Sequence, residues 1–363
     1  MAGGVALVLV CLPAVVRALP VRAAGIPVDQ LVAKVWASSA QPYQGYAVST
    51  GSAGLPSLPQ LSTVSDLLNG DTQLRVWYAS SSRWRVDVLD IAAERDTYQL
   101  SGKQVVWDYA NNALTEIDGS TPVRLPQGAD LTPPDLGRRL VSAAGTDVTL
   151  SALPAQRVAG VAAAGVRITP RSSVTTVAYI DIWADPSTGL PVQVAITGRG
   201  ARSPFLTTRF LDLAQSRPTD AVLTPPSPGS GIVPVVTDQS AIDNALRTIA
   251  GAPLPDRLAG QDRSATSLGE LGGFGTYGTG LAQFLVVAIP RRVGIDAMRR
   301  IERGGGVTMN FPSGDGVQIS TPLVSLLAVD THPRHVMYLV IGLVDPKLLT
   351  QAGSDLTTYR GAS

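Results

Sequence analysis

Three groups of residues in this chain have the types that chemistry uses. In "DTHPRH", Asp330, His332 and His335 could converge on a metal ion. A tetrahedral site needs a fourth ligand, and the neighbouring sequence offers none, so the segment also reads as a proline-containing turn at a strand entrance. Asp181 and Asp185 are two carboxylates near enough in sequence to suggest acid–base work, yet Asp185 opens the run Asp185-Pro186-Ser187-Thr188-Gly189, whose residue types build a turn. In "GFGTYG", Gly273, Gly275 and Gly278 have the dinucleotide-binding spacing. That fingerprint requires a strand before it and a helix after it, and here a strand pattern follows, which predicts a plain loop. No nucleophile elbow, phosphate-binding loop or zinc-protease helix occurs in the sequence. The reading is therefore of a protein that is not an enzyme and has no metal or cofactor.

Bulk properties narrow the class further. A length of 363 residues suggests two domains, each long enough to bury a core. Charged residues make up 16% of the chain and the net charge is +1, so no basic field exists to attract nucleic acid. The single cysteine, Cys11, lies inside the apolar opening "GGVALVLVCLPAVV", and everything after it is free of thiols, disulfides and cysteine-ligated metals. The run from Gly4 to Val16 is interrupted by Pro13 and is shorter than the roughly 20 residues that span a bilayer. Residues 1–24 are read as a signal peptide, with Ala18 or Ala23 and Ala24 as cleavage positions, or as a membrane anchor lipidated at Cys11. Both readings place the mature chain outside the cytoplasmic membrane.

The elements form a coherent pattern. A helix is expected from Val28 to Ser38, with Val28, Leu31, Val32, Val35 and Trp36 as one apolar stripe. The stretch Thr72 to Asp118 reads as four antiparallel strands. Within it Leu74, Val76 and Tyr78 share one face, and Trp84, Val86 and Val88 share one face while Arg83, Arg85 and Asp87 point the other way. "LSTVSDLLNG" suggests a short helix stopped by Asn69-Gly70, and "LTPPDLGRRLVSA" a second covering helix with Leu136, Leu140 and Val141 inward. Strands resume at "DVTLSALP", "AGVRITP", "TVAYIDIWAD", "LPVQVAIT" and "TRFLDLAQ". Prolines and glycines from Thr224 to Pro234 mark a boundary, placing a large domain at 26–223, a linker at 224–236 and a smaller α+β domain at 237–353. The second domain should hold a helix beginning at Asp238, a helix from Ile295 to Arg303 and a last helix capped by Asp345-Pro346 and stopped at Gly353.

"KQVVWDYANNALTEID" resembles the hairpin of the outer-membrane lipoprotein carrier proteins of LolA type. "YIDIWADPSTGLPVQVAI" is similar to the late hairpin of the sigma-E regulatory proteins, the RseB/MucB family. "LPDRLAG", "YGTGLAQFLVVAIP" and "HVMYLVIGLV" resemble the smaller RseB-type domain. The resemblance implies an α+β protein: a curved antiparallel half-barrel plugged by helices, with an apolar cavity for acyl chains, followed by a smaller α+β domain. It implies as partners a lipid or lipoprotein acyl chain, or the extracytoplasmic part of a membrane anti-sigma factor.

The aromatic set Trp77, Trp84, Trp107, Tyr109 and Trp183 reads either as ordinary core or as the wall of such a cavity. The cavity reading names Val76, Tyr78, Trp84, Val86, Val88, Trp107, Tyr109, Ile180 and Ile182 as its lining. Burying about ten methylenes at about 0.8 kcal/mol each would give roughly 8 kcal/mol, enough for micromolar capture without a polar site. A structural module with the interior filled by its own side chains would show the same sequence pattern.

Overall fold

A computed structural model describes residues 25–52, 67–90, 94–118, 126–226, 234–237, 254–264, 273–332 and 336–360. The expected signal or anchor at 1–24, the helix beginning at Asp238, and His335 lie outside these residues. No helix among the described residues is long and apolar enough to cross a membrane.

Helix α1 (Val28–Ala37) continues into a single 3-10 turn, Ser38–Ala40, and leads to β1 (Tyr43–Ser52). Five strands follow where four are expected: β2 (Asn69–Ser80), β3 (Arg83–Leu89), β4 (Glu94–Leu100), β5 (Lys103–Asp108) and β6 (Ala113–Asp118). The extra strand arises because Asp108 to Asn112 reverses the chain and returns Ala113–Asp118 along β5. Leu67 and Leu68 are helical, and the helix ends at Asn69-Gly70 as expected; these two residues also open β2, pairing with Ser52 and Gly51. The earlier part of that expected helix lies outside the described residues. A 3-10 turn (Gly128–Leu131) and α2 (Pro133–Ala144) precede the meander β7 (Val148–Val158), β8 (Val161–Pro170), β9 (Val177–Ala184), β10 (Pro191–Gly198) and β11 (Leu206–Ala214).

These eleven strands form one antiparallel sheet in the order β6-β5-β4-β3-β2-β1-β11-β10-β9-β8-β7, and a twelfth strand, β12 (Pro234–Thr237), adds in parallel to the outer edge of β6. The sheet is an open half-barrel, because β7 and β12 are edges and do not meet. β12 lies at the end of the proline-rich stretch read as a linker.

The remaining strands include a two-residue hairpin, β13 (Arg257–Leu258) with β14 (Gln261–Asp262). A second sheet holds β15 (Phe274–Tyr277), β16 (Phe284–Ile289), β17 (Val307–Phe311), β18 (Gly314–Ser320), β19 (Ser325–Thr331) and β20 (Val336–Gly342), in the order β15-β16-β20-β19-β18-β17. Helix α3 (Arg291–Arg303) buries Ile301 against Val317, Leu326 and Ala328 on one face. Helix α4 (Pro346–Thr358) buries Leu349, Ala352 and Leu356 against Leu327 and Val329 on the other. Cover on both faces explains why β19 is apolar without alternation. Helix α4 does not stop at Gly353. A Cβ there would meet Phe311 and Leu327, so this glycine serves close packing inside the helix.

"GFGTYG" is a strand rather than a loop: Phe274–Tyr277 pairs with β16, and only a single 3-10 turn, Gly280–Ala282, lies between the two strands. The two sheets meet at Thr175. Its hydroxyl reaches the carbonyls of Leu281 (2.8 Å) and Leu343 (2.9 Å), while Thr176 N–H donates to Leu343 and Asp345 N–H to Val174.

Candidate ligand-binding face

Strand register decides which side chains share a face. Leu74 lies opposite Val88, Val76 opposite Val86 and Tyr78 opposite Trp84, so these six face inward together. On the other meander, Val166, Ile182 and Val194 form one cross-strand row, and Ile168, Ile180 and Ile196 form the next. All of these residues belong to a single apolar cluster, in which Val76, Tyr78, Val86, Ile180 and Ile182 are buried and Trp84 and Val88 half-buried. The structure thus brings together seven of the nine residues named from the sequence.

Trp107 and Tyr109 do not join them. The tight turn at Ser101-Gly102 pairs Leu100 with Lys103, so Asp96 falls opposite Trp107, while Val86 lies opposite Thr97. Trp107 therefore points to the outer face, where it packs with Tyr98, Val105 and Leu114, and Tyr109 sits 49% exposed against its edge, 5.4 Å away. Counting alternation through two hairpins would have found this. Each strand viewed alone does not show it.

The inner face is closed by three short pieces. Leu31 and Val35 of α1 insert into the cluster, whereas Trp36, expected in the same stripe, is 58% exposed. The Gly128–Leu131 turn lies so close to β3 that a Cβ at Gly128 would collide with Val88. Helix α2 lays Gly137 over Pro191 and Val194, and its Leu140 is buried. Hydrogen bonds pin the covers at few points: Tyr78 O–H donates to the Ser39 carbonyl (2.7 Å) and Thr208 O–H to the Leu131 carbonyl (2.6 Å). Lys34 Nζ donates to the Pro186 carbonyl (2.8 Å), in the turn whose Gly189 has φ +73° and no room for a side chain against α1. Residues that reasoning along single strands missed include Tyr43, stacked on Tyr78 at 5.0 Å, and Phe210, edge-on to Tyr43 at 5.8 Å. Burial pushes the Tyr43 hydroxyl well above its ordinary range.

One charge enters this interior. Arg138 of α2 holds its guanidinium 5.6 Å from the Tyr78 ring with the side chain only 12% exposed. Its one acidic neighbour, Asp135, lies 3.6 Å from Nη2 and is itself bonded by Arg139 at 2.5 Å.

Beside the Trp107 cluster, the outer face of β3 and β4 carries a buried polar network. Asp87 and Asp96 are directly opposite each other and both fully buried. Arg85 binds Asp87 with two bonds (2.6 and 2.8 Å) and Asp96 with one (2.9 Å), and its guanidinium lies 4.9 Å from Trp77 and 5.0 Å from Tyr98. Burial first, and then the Asp87 charge, push the Asp96 carboxyl up to about 7; Asp87 is also raised, chiefly by burial.

The groups that suggested chemistry are dispersed. Asp181 pairs with Arg167 (2.7 and 2.8 Å), whereas Asp185 accepts from Ser187 and Gln215 as a turn residue, and those bonds hold its carboxyl below the usual range against the opposing effect of burial. His332 Nε2 is 3.9 Å from carboxylate oxygens of Asp315 and Asp330.

No protein-family model matches this chain, and no curated protein does either. Solved structures do. The MucA/MucB complex of Pseudomonas aeruginosa superimposes with a TM-score of 0.50 at 15% identity, over 90% of this chain and 96% of that one. MucB in complex with MucA(peri) gives 0.50 at 15%, over 90% and 97%. MucB alone gives 0.49 at 17%, over 92% and 98%. The fold is therefore of the MucB kind, an open curved half-barrel followed by a smaller sheet, as the sequence resemblance implied.

Proposed function

We propose that this protein is an extracytoplasmic, non-enzymatic binding protein whose half-barrel takes the acyl chain of a lipid or lipoprotein. The observation that carries the reading is a broad apolar wall closed by small, separate covers. An apolar face drawn from both meanders of an open sheet is closed by two helices of ten and twelve residues and one 3-10 turn, tied down by few hydrogen bonds. The covers divide this wall, α1 lying over β7 and β8, α2 over β10 and β11 and the 3-10 turn over β3, and a hydrocarbon chain can replace the apolar contacts that a displaced cover gives up. With the covers in place Val76, Tyr78, Val86, Ile180 and Ile182 are already buried, so the ligand enters by displacement rather than by filling an open hollow. The likeness to MucB supports the extracytoplasmic setting. Native mass spectrometry of protein purified from its host envelope tests the reading. A retained lipid mass is expected, and an apoprotein that takes up no added lipid would overturn it.

A second reading is favoured by the coverage of the likeness, which extends over 90% of the chain to structures of MucB bound to MucA. In it the protein holds the extracytoplasmic part of a membrane anti-sigma factor and releases it when lipid arrives. Affinity capture with and without lipid separates the two, because a carrier retains only lipids or acylated proteins, whereas a regulator retains an unacylated protein segment that lipid releases.

A further inference from the structure

The acyl-chain reading leaves one buried group unexplained. Arg138 points from α2 into the apolar interior, and among the described residues its Nη1 has no hydrogen-bond partner and is sealed from solvent. A guanidinium stays protonated at any pH the fold survives, so burying one of its N–H groups without an acceptor costs free energy. The neighbouring groups do not relieve this. Asp135 is 3.6 Å from the other terminal nitrogen and is shared with Arg139, whose Nε bonds it at 2.5 Å. Tyr78 lies with its ring 5.6 Å from the guanidinium and its hydroxyl bonded to the Ser39 carbonyl, and neither it nor the buried Tyr43 hydroxyl accepts a hydrogen bond from Arg138 Nη1. An apolar side chain would pack this position without the unsatisfied donor, so the arrangement suits a group that arrives with negative charge.

We propose that Arg138 anchors the head of an amphiphile, binding a carboxylate or phosphate ester while the hydrocarbon tail lies between α2 and the inner face of the sheet. The proposal rests on the acyl-chain reading and adds to it the ligand class, an anionic amphiphile rather than any hydrocarbon. The geometry suits it. Gly137, one residue before the anchor, is the point where α2 touches Pro191 and Val194, so a head at Arg138 sits at the edge of the apolar wall and the tail can run inward along the Ile180 and Ile182 rows. A guanidinium offers a planar pair of donors that matches both carboxylate and phosphate oxygens.

The test compares dodecanoate, dodecyl phosphate and dodecanol, three ligands with one tail, by displacement of a fluorescent probe from the full chain. Wild-type protein should bind at least one anionic ligand roughly 10- to 100-fold more tightly than the alcohol, the range expected for hydrogen bonds to a charged group. Arg138→Met, which keeps much of the apolar stem, should bring all three to the alcohol's affinity, and Arg138→Lys should restore part of the preference. Thermal melts confirm that both variants fold. Equal wild-type affinity for charged and neutral ligands, or a preference that survives in Arg138→Met, overturns the anchor while leaving the acyl site standing. Failure of all three ligands to bind overturns the acyl site itself, and the anchor with it. Preference for the phosphate over the carboxylate, or the reverse, identifies which head the anchor takes.

Discussion

Strands β3 and β4 bury side chains on both faces, but the two sets are held by different forces. On the inner face Leu74, Val76, Tyr78, Trp84, Val86 and Val88 meet helices through apolar contact, which is non-directional and tolerates exchange of one hydrocarbon for another. On the outer face Arg85, Asp87 and Asp96 meet through short directional bonds, with Arg85 fixed between Trp77 and Tyr98. The outer network joins the strands through directional bonds, while under the proposed function the inner cover is the part that moves. A protein that opens for a greasy ligand without losing its sheet needs both arrangements.

Removing contact from the inner cover should have the largest effect. Leu31→Ala leaves a hole between α1 and the sheet at a residue only 1% exposed and should cost about 4 kcal/mol in urea denaturation. Hydrogen exchange should show the loss concentrated in α1, with β2 and β3 still protected. Uniform loss across the sheet would show that cover and wall unfold as one unit.

Breaking the outer network comes next. Asp87→Ala strips Arg85 of two of its three carboxylate bonds and should cost about 3 kcal/mol, at the low end for a broken buried pair because Arg85 keeps Asp96 and some solvent. Exchange should here rise in β3 and β4 first. A loss below 0.5 kcal/mol, or about that of an ordinary surface change, would mean that the network does not hold the register.

A pH series sharpens the comparison without changing side-chain volume. The folded state keeps a proton on the Asp87 and Asp96 pair up to about 7, far above the ordinary carboxylate value of 3.8, so between these values it binds more protons than the unfolded chain. This contribution to stability is therefore present in acid, falls as pH rises from about 4 to about 7, and levels above that. Asp96→Asn should flatten that slope, while Leu31→Ala should leave it intact. The smallest effect is expected for Trp107→Phe. It deletes an indole N–H that has no partner among the described residues and should change stability by less than about 1 kcal/mol, with no change in lipid uptake, because Trp107 faces outward. Reduced uptake would place Trp107 on the ligand's path after all.

Much of this was legible in the residues themselves. The period-2 alternation of "TQLRVWYA" and "RWRVDVLD" marks β2 and β3 with their apolar sides, and the stripe Leu31 and Val35 marks α1, because side-chain direction along one element follows from local geometry alone. Asp345 before Pro346 likewise marks the start of α4, where its carboxylate accepts from Lys347 N–H (2.8 Å). Relations between elements were not local. Trp107 changed sides through the register of a hairpin, Gly353 stayed inside α4 because Phe311 left no room for a side chain, and "GFGTYG" became a strand because β16 needed a partner. The sequence by itself determined which residues are apolar, which side of β2 and β3 they take, and that no known catalytic pattern is present. Only the tertiary structure decided which aromatic residues share a wall, that two aspartates eleven and two positions from Arg85 meet it in the interior, and that Arg138 turns a charge toward the hydrocarbon face. Those outcomes depend on distances between segments far apart along the chain, which packing and cross-strand hydrogen bonds set and no short stretch of sequence contains.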